Sequence, residues 1–130
     1  MDNGSLVKEE IDAGAAFARE FDRCMPLKAA FWLKASDDYR YLYLTSDRID
    51  DTTMGDAYRE VVRIAQKLAS PDLDMFRIKV VPGDDPLAKA AAEQMRKYPD
   101  STGRRFGYRT FGDMFVDDGY VYPRLIPVAA

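Results

Sequence analysis

The stretch AAFWLKASDDYRYLYLTS, residues 29–46, decides the fold. Ala29–Ala35 and Arg40–Ser46 are rich in aromatic and branched residues, which suit a pleated surface, and Ser36-Asp37-Asp38-Tyr39 between them has turn composition. The spacing predicts a β-hairpin. Centring its turn on Asp37-Asp38 sets Leu33 opposite Leu42 and Phe31 opposite Leu44, with Trp32 opposite Tyr43 and Lys34 opposite Tyr41 on the other side; a one-residue slip would mix the two sets. A third strand is expected over Met75–Val81. Because side chains alternate across a strand, one face collects Phe31, Leu33, Leu42, Leu44, Phe76, Ile78 and Val80. The other collects Trp32, Lys34, Tyr41, Tyr43, Arg77 and Lys79, with no acid among them. The first set is a core. The second is a candidate binding surface with the composition of a stacking platform, and equally that of a face covered by a helix or a second copy.

Working outward, residues 5–25 read as an amphipathic helix. Val7, Ile11, Gly14, Ala18, Phe21 and Met25 recur at helical spacing, Ser5 is placed to cap the start and Pro26 stops the end. Gly14, Ala15 and Ala18 are small, so the helix can approach a neighbour closely at mid-length; packing onto the sheet is preferred over a dimer seam. A second helix is expected over 54–69, with Thr53 and Asp56 as a shortened capping box. A third spans 86–98, with Asp85 as N-cap and Pro86 in the first turn. Residues 99–118 read as irregular, broken at Gly103, Gly107 and Gly112, and 119–122 as a short last strand. The sum is one domain over residues 1–130. Its expected class is α+β, a small two-layer sandwich whose three- to four-stranded mixed or antiparallel sheet carries helices on one face and, in one variant, a helix on the other.

Composition narrows the chemistry. The 130 residues include 47% apolar and 32% charged residues, proportions of a globular chain, and the net charge of −3 argues against wholesale binding to nucleic acid or anionic membrane. No apolar run reaches the ~20 residues a membrane span needs, and the start lacks a signal-peptide pattern. There is no histidine. Histidine-based triads, acid/base steps and zinc sites are thereby removed. The single cysteine, Cys24, excludes an internal disulfide and fits a reducing cytoplasm; it reads as a small buried residue near a helix end. No cofactor motif and no metal-ligand spacing is read.

Two further constellations stand out. Arg96, Lys97, Arg104, Arg105 and Arg109 face one acid, Asp100, so five minus one leaves +4 over residues 96–109, with Phe106 and Tyr108 interleaved. Such a segment grips phosphate or acidic partners, or it solvates a loop. Paired acids recur at Asp37-Asp38, Asp50-Asp51, Asp84-Asp85 and Asp117-Asp118. Asp113, Asp117 and Asp118 are the ones without a turn or cap role, but they lack calcium-loop spacing.

Phe31-Trp32-Leu33-Lys34-Ala35-Ser36-Asp37-Asp38 with Tyr41-Leu42-Tyr43, Ala57-Tyr58, Asp85-Pro86-Leu87-Ala88 and Tyr120-Val121-Tyr122-Pro123 resembles a group of short bacterial open reading frames of unknown function, over residues 26–123. The resemblance implies a bacterial, cytoplasmic, single-domain protein and brings no activity. The reading is a non-catalytic protein-interaction or accessory module, binding a protein partner or itself as a homodimer. Single-stranded nucleic-acid binding, with Trp32, Tyr41 and Tyr43 stacking and Lys34, Arg77 and Lys79 on phosphates, is the alternative. A carboxylate-metal enzyme around Asp113, Asp117 and Asp118 is third.

Overall fold

The computed structural model describes residues 7–34, 39–98 and 103–123. The expected cap at Ser5, the turn at Ser36-Asp37-Asp38, Pro99, Asp100 and the tail beyond Pro123 lie outside them. Helix α1 (Lys8–Cys24) leads into strands β1 (Ala29–Lys34) and β2 (Arg40–Ser46), and α2 (Met54–Leu68) follows. A 3-10 turn at Met75–Arg77 precedes β3 (Ile78–Pro82), α3 (Pro86–Lys97) and a second hairpin, β4 (Arg104–Phe111) and β5 (Met114–Val121). The sheet order is β3-β2-β1-β5-β4. Strands β2 and β3 are parallel, since α2 carries the chain back to the end where β2 began; the other neighbours are antiparallel. The fold is α+β, with a mixed sheet of five strands where the sequence suggested three to four.

Helices cover both faces. Phe17, Ala18 and Phe21 of α1 and Ala57, Val61 and Ile64 of α2 pack on Ala30, Trp32, Leu42, Leu44, Ile78 and Val80. On the other face, Leu87 and Ala91 of α3 pack on Ala29, Phe31, Leu33, Tyr43, Phe111, Val116 and Val121. The architecture is therefore three-layered. This corrects the hairpin register: Phe31 pairs with Tyr43, Trp32 with Leu42 and Lys34 with Arg40, one residue from the expected alignment. Register is set by pattern only where one face is buried and the other wet. Every residue of β1 is buried, Lys34 included, so either alignment places apolar side chains under a helix.

The small residues of α1 act as read. A methyl group on Gly14 would stand 2.3 Å from the Tyr122 hydroxyl and 2.7 Å from Trp32 Nε1. Trp32 donates to that hydroxyl at 2.8 Å, and Tyr122 donates to the Ile11 carbonyl at 2.6 Å. Burial pushes the Tyr122 phenol far above its ordinary pKa, keeping it a donor.

Three local expectations change. Residues 75–77 form a turn, so Phe76 leaves the core and is 80% exposed. Thr53 does not cap α2; its hydroxyl donates to the Arg48 carbonyl at 2.8 Å. Cys24 is exposed, 3.2 Å from both Glu60 and Arg63. Partial desolvation and the Glu60 carboxylate hold its thiol above the usual pKa against the pull of Arg63.

The largest correction is residues 104–118, expected to be irregular. They form β4 and most of β5, joined by the two-residue turn Gly112-Asp113. Gly112 has φ +62°, a left-handed value that glycine adopts without a side-chain clash. Tyr108, at φ +50°, interrupts the pairing in mid-strand. This resets the alternation: Phe106 and Phe111, five apart, stack on one face with ring centroids 4.9 Å apart. Val116 and Val121, also five apart, share that face.

Candidate functional site

The six residues of the proposed aromatic and cationic face do not come together. Trp32 and Lys34 lie on the α1/α2 side, with Trp32 wholly buried. Lys34, also buried, reaches Asp117 at 3.5 Å. Tyr41, Tyr43 and Lys79 lie on the α3 side, where Phe31 stacks on Tyr43 with centroids 5.2 Å apart and the Lys79 ammonium sits 4.3 Å from the Tyr41 ring centroid. Arg77 is off the strand. Its guanidinium bonds Glu10, the Asp72 carbonyl at 3.0 Å and the Arg40 carbonyl at 3.2 Å, and sits 5.1 Å from the Trp32 ring. The stacking platform read from the sequence is thus dismantled by the register, and its tryptophan is spent on the core.

The Glu10 cluster is structural. Its carboxylate, 5% exposed, accepts both ends of the Arg40 guanidinium, the Arg77 guanidinium and the Val7 amide. Burial works to raise its pKa; the bonds from Arg40, Arg77 and Val7 prevail and hold it below the usual carboxylate range.

The ends of parallel strands β2 and β3 open on a cleft of about 470 Å³ lined by Asp47, Asp50, Asp51 and Asp84. Open α/β sheets commonly hold ligands at such a place. Here the lining is acidic, and two of its acids, Asp47 and Asp50, are engaged in local bonding. Asp47 meets Lys28 at 3.6 Å. The Thr52 hydroxyl, then the Thr52 and Thr53 amides, hold the Asp50 carboxyl below its ordinary pKa. Among the described residues no group of three or more His, Cys, Asp or Glu is placed to hold a metal. Asp117 faces Lys34 and Asp118 faces Arg105 at 3.0 Å, so two of the three acids of the carboxylate-metal reading are engaged in ion pairs.

The arginine segment has the opposite fate. Arg104, Arg105 and Arg109 stand exposed on β4, the outermost strand. Arg105 pairs with Asp118; the Arg104 guanidinium lies 3.6 Å from the Tyr98 ring centroid, and that of Arg109 lies 5.6 Å from Phe106. Arg104 and Arg109 contact rings and, among the described residues, no carboxylate. Tyr108 is 80% exposed and Phe115, on the adjoining strand, 57%.

The two sheet edges differ in how they are finished. β3 is five residues long and ends in Pro82, and its Val80 amide donates to the Tyr58 hydroxyl of α2 at 3.1 Å. Proline and a covering helix are means of closing an edge. β4 is eight residues long, and beyond its ladder with β5 no hydrogen bond reaches residues 106–111 from another described residue. The strand itself was missed in the sequence; the Gly112-Asp113 pair between two β-rich runs was the available signal. Among the described residues no helix is long and apolar enough to cross a membrane. No family model, curated protein or solved structure matches this chain.

Proposed function

We propose that this chain is a non-catalytic protein-interaction or accessory module that docks a partner along the outer edge of β4. The observation that carries the reading is the asymmetry of the sheet: one edge is capped by Pro82 and Tyr58, while the other is long, arginine-bearing and flanked by exposed Tyr108 and Phe115. An unpaired strand edge is a template for another chain, and exposed aromatic and arginine side chains are the types that anchor interfaces. The absence of histidine, which removes the commonest acid/base group, supports a binding role over a catalytic one. A bacterial cytoplasmic setting belongs to the proposal, on the lone cysteine and on the resemblance to short bacterial reading frames.

Site-specific photocrosslinking tests it. Benzoylphenylalanine at position 108 is expected to give a discrete protein adduct in extracts of the source cells, while the same group at exposed Gln66 on α2 gives none. Adducts destroyed by nuclease would favour nucleic acid instead, and equal labelling from both positions would refute a docking edge.

A further inference from the structure

Resting on that reading, we infer that the partner enters as an acidic, extended segment that adds to β4 as a sixth strand. Two features of β4 point to this occupant. The first is its charge. Arg104 and Arg109 are both exposed and no described carboxylate neutralises either. The Arg104 guanidinium sits 3.6 Å from the Tyr98 ring centroid and that of Arg109 5.6 Å from Phe106. A guanidinium held by a ring rather than by a carboxylate keeps its N–H groups available for bidentate contact with an acid. The close Tyr98 contact favours the Arg104 fork before a partner arrives, which lowers the ordering cost of binding there.

The second feature is geometry. Through the reset at Tyr108, Phe106 and Phe111 share the α3 face. Arg109, over the Phe106 ring, and Arg104, over Tyr98 at the end of α3, flank that same face. Five residues of strand separate them by roughly 16 Å, a span an extended peptide crosses with acids near its two ends. The outer backbone on either side of Tyr108 supplies the pairing groups between, as in strand-addition domains that read side chains beside an edge. A second copy of this chain fits less well, because two β4 strands meeting edge to edge would bring both sets of Arg104, Arg105 and Arg109 to one seam.

The test uses the full chain and a capped ten-residue peptide of alternating glutamate and threonine. Its controls are the lysine–threonine counterpart and the acidic peptide N-methylated at alternate residues, which keeps the charge and removes strand pairing. The acidic peptide is expected to bind at least about tenfold more tightly than either control and to lose about tenfold for the R104E/R109E variant, each tenfold being a 1.4 kcal/mol difference. It should also slow amide exchange in residues 106–110. Native-like blue, quencher-protected emission from Trp32 checks that the variant is folded. Equal binding of the lysine peptide would overturn the acidic occupant, and equal binding of the N-methylated peptide would overturn strand addition. If position 108 crosslinks to a protein while acidic peptides show no preference, the occupant is wrong and the interaction module stands; if neither is seen, both fall.

Discussion

At Gly14 the space taken by one hydrogen decides how α1 meets the sheet. Replacing glycine by alanine in an exposed helix normally stabilises by about 0.5–1 kcal/mol. Gly55 of α2, with nothing within 4 Å of an added methyl group, should follow that rule in Gly55→Ala. Gly14→Ala must reverse it, because the methyl would displace Tyr122 and Trp32 from a buried hydrogen bond; a loss of about 1–3 kcal/mol is expected from overpacking. Urea unfolding of the two variants side by side checks the opposite signs. Ala69 makes the converse case. It closes α2 with φ +46°, a conformation that costs a side-chain-bearing residue about 1 kcal/mol, so Ala69→Gly should raise the melting temperature.

Among the elements, Glu10 ties α1 to the start of β2 through Arg40 and to the turn before β3 through Arg77. Its folded pKa lies below the unfolded value, so its contribution is present above the ordinary glutamate pKa of about 4.3 and is lost as pH falls through the folded value. Glu10→Gln should lower stability at neutral pH and flatten its decline between about pH 5 and 3, read from melting temperatures across that range. Glu10→Ala, which leaves two arginines facing an emptied site, should cost about 3 kcal/mol. The elements were unequally legible in the sequence. The apolar stripes of α1 and α2 and the Asp85-Pro86 start of α3 carry their own local chemistry, since Asp85 accepts from the Leu87 amide at 2.9 Å. The β1/β2 register was not legible, because a strand buried on both faces has no alternation to read. Strands β4 and β5 were hidden for a different reason: Tyr108 breaks the period of two, and three glycines within 103–112 resemble loop punctuation. Of the candidate surface, the arginines were visible as a charge run. Their exposure depended on the unread hairpin, and the burial of Trp32 on the unread register.

For the molecule as a whole, three layers leave the sheet with two ends rather than an open face, and among the described residues one end, β3, is finished by its own helix through Tyr58. The proposed docking falls to the other edge, β4. Residue-resolved amide exchange on the free chain tests this most directly. The account predicts that the Val80 amide, bonded to Tyr58, exchanges slowly, while outward-facing amides within residues 106–110 exchange fast at every protein concentration. Uniform protection along β4 in the free chain would contradict it, for the edge would already be occupied.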